Sequence, residues 1–129
     1  MTDEQLIAAA AEARTKAYAP YSHFTVGAAL LDENDCLFTG CNIENASYGA
    51  TCCGERTAIY KAVSAGSRQI RRLAVICGQD EPCMPCGICR QVMSEFAAPD
   101  FILLAASPTG KFCRYTLEEI LPGAFSLQK

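Results

Sequence analysis

Three cysteines and one glutamate are spaced in this chain so that they could act together on one metal ion. Cys53 stands two residues before Glu55, and the thiol pair Cys86 and Cys89 comes later, directly after Pro85. Zinc accepts thiolate ligands, and a catalytic zinc keeps three protein ligands and one open position for water. A carboxylate beside that position can move protons. The combination therefore suits a zinc ion held by the three thiolates, with Glu55 as the proton carrier.

Each of these features taken alone has a simpler interpretation. Glu55 could be an acidic residue that only stabilises the first turn of a helix. The Pro-Cys-x-x-Cys sequence at residues 85–89 could be a redox motif or half of a structural zinc site. A structural site would want a fourth ligand, and the presence of Glu55 two residues after Cys53 favours a catalytic site instead.

The chain has nine cysteines, so the ligands must be chosen among them. Cys52 competes with Cys53, and Cys83 competes with the later pair because it lies three residues before Cys86. We choose Cys53 because it sets the spacing to the carboxylate, and Cys86 with Cys89 because a helical pattern follows Cys89. We expect the other thiols to be packing or incidental residues: Cys36, Cys41, Cys52, Cys77, Cys83 and Cys113.

The charge of an all-thiolate zinc site needs compensation. Three thiolates leave the cluster net negative, which should make its water less acidic than in a site with neutral histidine ligands. Cys53 and Cys86 each open a predicted helix, and the partial positive charge of a helix N-terminus stabilises thiolates. Arg56 directly follows Glu55 and could reach a thiolate sulfur. We therefore expect Arg56 to tune the metal without binding it.

Composition and charge narrow the range of partners. The 129 residues, half of them hydrophobic, predict one globular domain over residues 1–129. A net charge of −3 favours a small-molecule substrate over a nucleic acid. Because no run of about 18 apolar residues and no secretory signal are present, we expect a cytoplasmic protein without membrane contact. Reduced thiols are expected there.

The pattern of apolar residues predicts the elements that must position these side chains. Their order is α-β-β-α-β-α-β-β-α, which implies a mixed sheet with helices on both faces in one three-layer domain. The predicted helices cover residues 3–18 and 53–65, a stretch from residue 86, and a last turn from residue 116. The predicted strands cover residues 24–31, 36–42, 73–77, 101–106 and 111–115.

Several longer stretches of the chain match a known pattern. They are residues 21–30, 40–48, 53–58, 85–91 and 121–125. With these residues the sequence resembles the cytidine deaminases over nearly its whole length, and specifically the short, homotetrameric type with three cysteine ligands. The paired Cys-x-Glu and Pro-Cys-x-x-Cys motifs are the signature of zinc deaminases. The sequence departs from the family at residue 54, where glycine replaces the usual alanine.

The resemblance implies a fold class and a cofactor. The fold is α/β, a three-layer α-β-α arrangement with a five-stranded mixed sheet. One zinc ion per subunit would be bound by Cys53, Cys86 and Cys89, and Glu55 would be the proton donor. The active sites would be shared between the subunits of a homotetramer.

The resemblance also assigns residues to a nucleoside. Phe24 would flank the base, and Phe125 would do so from a neighbouring subunit. Asn42 and Glu44 would bind the ribose hydroxyls. Composition alone favours a core position for both phenylalanines. Further contacts would come from the sugar-site loop and from one backbone N–H: Ala46, Tyr48 and Gly54.

The expected reaction is the zinc-dependent hydrolytic deamination of cytidine and 2′-deoxycytidine to uridine and 2′-deoxyuridine, with release of ammonia, in pyrimidine salvage. One alternative is a deaminase of the same fold that acts on another cytosine compound, such as a nucleoside antibiotic. Asn42 with Glu44 favours a ribose instead. A non-catalytic zinc or redox module is a second alternative, and Glu55 speaks against it. The acidic charge disfavours a third, a deaminase that edits nucleic acids.

Overall fold

The computed structural model describes residues 1–127 and has the predicted order of elements. The helices are α1 (Asp3–Arg14), α2 (Gly54–Ser64), α3 (Gly87–Phe96) and α4 (Leu117–Ile120), and a short 3₁₀ turn covers Tyr48–Ala50. The strands are β1 (Val26–Asp32), β2 (Leu37–Cys41), β3 (Ile70–Cys77), β4 (Ala97–Ala106) and β5 (Phe112–Thr116).

The five strands form one mixed sheet in the order β2-β1-β3-β4-β5. β3 and β4 are parallel, and the other neighbouring pairs are antiparallel. Because parallel neighbours need a crossover, α3 connects β3 to β4 across one face of the sheet. The N-termini of α2 and α3 therefore reach the same end of the sheet.

Two separate apolar clusters cover the two faces of the sheet. On one face α1 packs through Leu6 and Ala10 against β1, β3 and β4. On the other face α2 and α3 pack through Ile59 and Met93 against the opposite side chains of the same strands, and Ile120 of α4 joins them. This arrangement confirms the predicted three-layer α/β fold with a five-stranded mixed sheet.

Two glycines allow helices to lie directly on the sheet. A Cβ atom at Gly27 of β1 would lie 2.0 Å from the carbonyl oxygen of Ala10 in α1. A Cβ atom at Gly40 of β2 would lie 2.4 Å from the backbone nitrogen of Ala58 and 2.7 Å from the carbonyl oxygen of Gly54 in α2. Gly40 therefore fixes how closely the start of α2 approaches the sheet.

The observed boundaries differ from the predicted ones mainly where charged residues lie within an element. β3 begins at Ile70 instead of residue 73, because Arg71 and Arg72 continue the strand while their charged ends bind acids outside the core. β4 begins at Ala97 instead of residue 101. α1 ends at Arg14 instead of near residue 18. None of the helices in residues 1–127 combines the length and apolarity needed to cross a membrane.

Candidate metal centre and adjoining cleft

The three predicted ligands lie at the starts of two helices. Cys53 is the N-cap residue of α2, Cys86 is the N-cap residue of α3, and Cys89 lies in the first turn of α3. Neither N-cap thiol bonds to the backbone of its own helix. The sulfur atoms are thus available for other partners, while both helix termini favour negative charge there.

The geometry of these thiols fits a zinc ion. The three Sγ atoms all lie within 4.8 Å of one another, and those of Cys53 and Cys86 are 3.9 Å apart. Two sulfurs at about 2.3 Å from a tetrahedral zinc would be about 3.8 Å apart. Cys89 is fully buried, whereas Cys86 is exposed, so the cluster lies between the core and the surface. Three converging thiols at this spacing could hold the metal.

Arg56 contacts the cluster from α2. Its Nη2 donates a hydrogen bond to the Sγ of Cys53 at 3.3 Å. This bond is the main cause that raises the pKa of Arg56, and Cys89 adds to it. The Nε of Arg56 is buried and has no hydrogen-bond partner within residues 1–127. A fixed positive charge therefore lies against the sulfur atoms, as a thiolate cluster requires.

The thiols of Cys53 and Cys89 have pKa values shifted in opposite directions. A hydrogen bond with Cys89, supported by the hydrogen bond and charge of Arg56, lowers the pKa of Cys53 to about 5, although burial opposes this change. The same hydrogen bond and burial raise the pKa of Cys89. Cys53 is accordingly the thiolate around which the cluster is arranged.

Glu55 lies beside the cluster in a buried position. Only 4 % of the residue is exposed. Burial is the main cause that raises its pKa to about 7, and the charge of Cys53 acts in the same direction. A carboxyl group with a pKa near neutrality can both accept and release a proton. Its neighbours in the sequence include Cys53 of the thiol cluster and Arg56, which donates to the sulfur of Cys53.

A cleft of about 270 Å³ leads to this carboxyl group. Its walls carry both thiols at the helix N-caps and three of the predicted substrate residues, together with Cys52 and Cys83. The described lining is Ser22, Phe24, Val26, Asn42, Glu44, Thr51, Cys52, Cys53, Glu55, Cys83, Met84 and Cys86. The structure thus brings Phe24, Asn42 and Glu44 together with Glu55.

Asn42 and Glu44 already have partners within the chain. The Oδ1 of Asn42 accepts a hydrogen bond from the backbone N–H of Val26 at 2.8 Å, and its Nδ2 donates one to the carbonyl oxygen of Phe24 at 2.7 Å. The Oε1 of Glu44 accepts hydrogen bonds from the N–H groups of Tyr21 and Ser22, and its Oε2 accepts one from the Ser22 hydroxyl. Both side chains therefore help to hold the cleft wall in place through hydrogen bonds within the chain.

Other predicted substrate residues lie at the edge of the cleft or outside it. Tyr48 is 81 % exposed and lines a neighbouring cavity that also contains Glu44. Ala46 is exposed, and neither it nor Phe125 lines the cleft. Phe125 is 67 % exposed, and its carbonyl oxygen accepts a hydrogen bond from Gln91. Gly54 is buried at the first position of α2, where the backbone N–H has no partner within the helix.

Two residues near the site were missed by the sequence analysis. Ser22 lines the cleft and bonds to Glu44. Arg90 of α3 donates from Nε to the carbonyl oxygen of Pro85 and from Nη1 to that of Ile120, each at 2.8 Å. Both residues lie in stretches that resemble the family, but their long-range partners cannot be deduced from spacing.

A family model described as the cytidine and deoxycytidylate deaminase zinc-binding region matches residues 1–105. The chain belongs to this family. The match covers the helix starts that carry Cys53, Glu55, Cys86 and Cys89, and therefore the whole thiol cluster.

Individual relatives agree with this assignment. A cytidine deaminase of Sporosarcina psychrophila is 48 % identical over 126 residues, which are 98 % of this chain and 93 % of the relative. A crystal structure of cytidine deaminase from Burkholderia pseudomallei matches with a TM-score of 0.93 and 46 % identity, and the match covers 97 % of this chain and all of that one. A blasticidin-S deaminase of Bacillus cereus is 30 % identical over 93 % of this chain and 89 % of its own length.

Proposed function

We propose that this protein is a zinc-dependent enzyme that deaminates cytidine and 2′-deoxycytidine by hydrolysis, giving uridine and 2′-deoxyuridine with release of ammonia. The observation that carries the proposal is the convergence of three thiols within 4.8 Å, beside a buried glutamate with a pKa of about 7. When bound by Cys53, Cys86 and Cys89, zinc would supply the Lewis acidity that makes water nucleophilic at neutral pH.

Glu55 moves the protons in this proposal. Hydrolytic deamination takes a proton from the attacking water, places one on the ring nitrogen N3, and delivers one to the departing amine. A carboxyl group can perform these transfers in turn if its pKa lies near the working pH. Burial gives Glu55 such a pKa. Arg56 favours the anionic form of the neighbouring Cys53 sulfur, so this thiolate competes less for the same protons.

The cleft residues bind and orient the nucleoside. Phe24 lies in the cleft wall and is 41 % exposed, so its ring is available to flank the base. The Nδ2 of Asn42 has a second hydrogen, and the Oε2 of Glu44, which accepts one hydrogen bond, keeps acceptor capacity, so both residues can also bind ribose hydroxyls. The backbone N–H of Gly54 is the proposed donor to the pyrimidine carbonyl.

The complete site is proposed to form in a homotetramer. The cleft of one chain, about 270 Å³, is below the range of about 300 to 1,000 Å³ for typical ligand sites. Exposed aromatic side chains support a further chain beside it, since Tyr48 and Phe125 are 81 % and 67 % exposed. Phe125 and the loop with Ala46 and Tyr48 would then complete a neighbour's site.

The remaining proposals concern the setting of the enzyme. We propose that residues 1–129 form one domain, and that the enzyme works in pyrimidine salvage in the cytoplasm without membrane or nucleic-acid partners. The arginines at the start of β3 support this last point. Arg71 pairs with Asp35 and Asp100, and Arg72 pairs with Asp3, so their charges are balanced within the chain.

Deamination of a nucleoside antibiotic is the second candidate. The similarity to a blasticidin-S deaminase over 93 % of this chain favours it as an alternative. The identity to that relative is 30 %, against 48 % to the cytidine deaminase of Sporosarcina psychrophila. A non-catalytic zinc module is disfavoured because a buried carboxyl group faces an accessible cleft.

An ammonia-release assay on a substrate panel tests the proposal. The panel contains cytidine, 2′-deoxycytidine, cytidine monophosphate, cytosine and blasticidin S, and zinc is measured by mass spectrometry in the same samples. We expect turnover of the two nucleosides only. Zinc-loaded protein that turns over neither nucleoside would refute the proposal, and turnover of blasticidin S alone would establish the second candidate.

A further inference from the structure

Ser22 is a cleft residue that connects two parts of the proposed nucleoside site. It lies on the loop between α1 and β1, next to Phe24 in the cleft wall. Its hydroxyl group donates a hydrogen bond to the Oε2 of Glu44, which also lines the cleft and lies 22 residues away in sequence. The same Oγ accepts a hydrogen bond from the backbone N–H of Phe24 at 3.0 Å. One hydroxyl group therefore joins the carboxylate to the backbone of the aromatic residue.

The backbone around Ser22 reinforces this connection. The Oε1 of Glu44 accepts from the N–H groups of Tyr21 and Ser22 at 3.0 and 3.1 Å, so the carboxylate holds the loop by three hydrogen bonds. The Ser22 hydroxyl is the main cause that holds the pKa of Glu44 below its usual range. Glu44 is therefore an anion that organises the loop.

The loop has an unusual backbone conformation at one position. His23 has a φ of 58°, in the left-handed region that side-chain-bearing residues adopt rarely. This conformation reverses the chain between Ser22 and Phe24, which lets the Oγ of Ser22 face the N–H of Phe24. Such a conformation persists only where surrounding contacts hold it, and here they are the hydrogen bond from the His23 N–H to the carbonyl oxygen of Ala19 at 3.0 Å and the bonds of Ser22 to Glu44.

Phe24 is fixed on its other side by Asn42. The Nδ2 of Asn42 donates to the carbonyl oxygen of Phe24, and its Oδ1 accepts from the N–H of Val26. The two polar residues assigned to the ribose thus hold both ends of the Phe24 backbone, Asn42 directly and Glu44 through Ser22. The link through Ser22 depends on a single hydroxyl group.

We propose that Ser22 is a positioning residue that couples recognition of the sugar by Glu44 to the placement of Phe24 against the base. The proposal rests on the proposed function, since it needs a nucleoside in this cleft. A sugar hydroxyl bound to Glu44 stabilises the loop, and the loop holds Phe24 in place. Without the Ser22 hydroxyl, the Phe24 N–H loses its partner and Glu44 keeps only its two backbone hydrogen bonds to the loop, so both Phe24 and Glu44 are held less firmly.

The test compares Ser22→Ala and Ser22→Thr with two substrates, cytidine and 2′,3′-dideoxycytidine, which lacks the 2′ and 3′ hydroxyls of the ribose. For Ser22→Ala we expect KM for cytidine to rise about tenfold, the equivalent of one hydrogen bond to a charged group, with kcat changed by less than about threefold. Ser22→Thr, which keeps the hydroxyl, should restore most of the loss. With dideoxycytidine the Ser22→Ala effect should be smaller but still present, because Phe24 is displaced for either substrate.

Three results would overturn the proposal. The first is an unchanged KM for cytidine in Ser22→Ala. The second is a Ser22→Ala effect on cytidine but not on dideoxycytidine, which would mean that Ser22 does not act on Phe24. The third is a KM for cytidine in Ser22→Thr as high as in Ser22→Ala. Thermal melting and zinc content of each variant show whether the fold and metal site are intact. Ser64→Ala, at an exposed serine at the end of α2, is the matched control. Failure of the proposed function would appear in the wild-type chain, whereas failure of the Ser22 role leaves the wild type active.

Discussion

At the scale of single residues, the site depends on how charge is balanced around three thiolates. Arg56 donates to the Sγ of Cys53 at 3.3 Å, while Glu55, the residue before it, is almost completely buried. Two adjacent side chains of α2 thus have different roles, since one is a positive charge beside a sulfur atom and the other is a buried carboxyl group. The guanidinium helps to lower the pKa of the Cys53 thiol, and burial raises the pKa of the Glu55 carboxyl group. This difference supports the proposal that Glu55 is the group that moves protons.

Arg56→Ala should weaken zinc binding. The variant loses a positive charge and a hydrogen bond to a ligand, and changes of this kind lower metal affinity by about 10- to 100-fold. Competition with a chromogenic chelator measures the affinity. Arg68→Ala, which removes an arginine from the exposed loop before β3, is the control and should bind zinc as the wild type does. Equal affinity in the Arg56 and Arg68 variants would contradict the proposed role.

At the scale of secondary-structure elements, the site depends on where α2 and α3 begin. Gly40 lets α2 lie close on β2, and Arg90 holds the segment before α3 through the carbonyl oxygen of Pro85. The same guanidinium satisfies the carbonyl oxygen of Ile120 at the end of α4. Arg90 thus links the position of Cys86 to the packing of the C-terminal helix.

Arg90→Ala should therefore destabilise the fold and loosen the metal. Two carbonyl groups lose their donor, and each unsatisfied group costs about 1 to 3 kcal/mol where it is buried. We expect a lower melting temperature by calorimetry and faster zinc release to a chelator, because Cys86 directly follows Pro85. Arg90→Lys, whose ammonium group cannot span both carbonyl groups in the same way, should be intermediate. If Arg90→Ala released zinc at the wild-type rate, the hydrogen bond from Arg90 to Pro85 would not be needed to hold Cys86 in place.

The turn between β1 and β2 carries a pH-dependent contribution to stability. Asp32 is buried, which raises its pKa, but hydrogen bonds from the Ser67 hydroxyl and from the N–H groups of Cys36 and Asn34 outweigh burial and hold that pKa below its usual value. A depressed carboxyl pKa stabilises the fold above the unfolded-state pKa, and this contribution is lost as the pH falls through the folded-state pKa.

Asp32→Asn removes that titration with little change of shape. We expect the variant to be less stable than the wild type at neutral pH, and to lose less stability as the pH falls below about 4. Urea unfolding followed by circular dichroism at several pH values gives the comparison. Parallel stability curves for the two proteins would mean that the hydrogen bonds of Asp32 do not favour its charged form.

Local patterns predicted the elements well, but contacts between distant residues could not be predicted. The order of helices and strands follows from apolar periodicity, and the thiol spacing indicated the metal site before any fold was known. β3 was predicted too short because Arg71 and Arg72 appear polar in sequence, although their charges are paired outside the core. Ser22 meets Glu44 across 22 residues and Arg90 meets Ile120 across 30, and no local pattern contains such pairs.

At the scale of the whole molecule, the proposed tetramer implies that one chain carries only part of the nucleoside site. The proposed partners of the nucleoside divide into those in the cleft, such as Phe24 and Glu44, and those at exposed positions outside it, such as Phe125. Gln91 of α3 holds the backbone of Phe125 at 3.0 Å, so the aromatic side chain is presented from an ordered segment. We expect this distribution of residues in a chain that completes the site of a neighbouring subunit.

Mixing two inactive variants tests whether sites are shared. Glu55→Gln keeps Phe125, and Phe125→Ala keeps Glu55. If Phe125 acts on a neighbouring chain, hybrid oligomers contain sites with both residues intact. Co-expressed chains should then deaminate cytidine faster than the two variants assayed separately. Activity equal to the sum of the separate variants would contradict shared sites, provided that mass spectrometry shows that hybrids form.

The replacement of Glu55 by glutamine tests the central claim most directly, because it removes the proton carrier and keeps the size of the side chain. We expect Glu55→Gln to keep the zinc content of the wild type while kcat for cytidine falls by about 1,000-fold or more. Glu118→Gln, on the exposed surface of α4, should be as active as the wild type. A zinc-loaded Glu55→Gln protein with wild-type turnover would contradict the assignment of Glu55, and with it the mechanism.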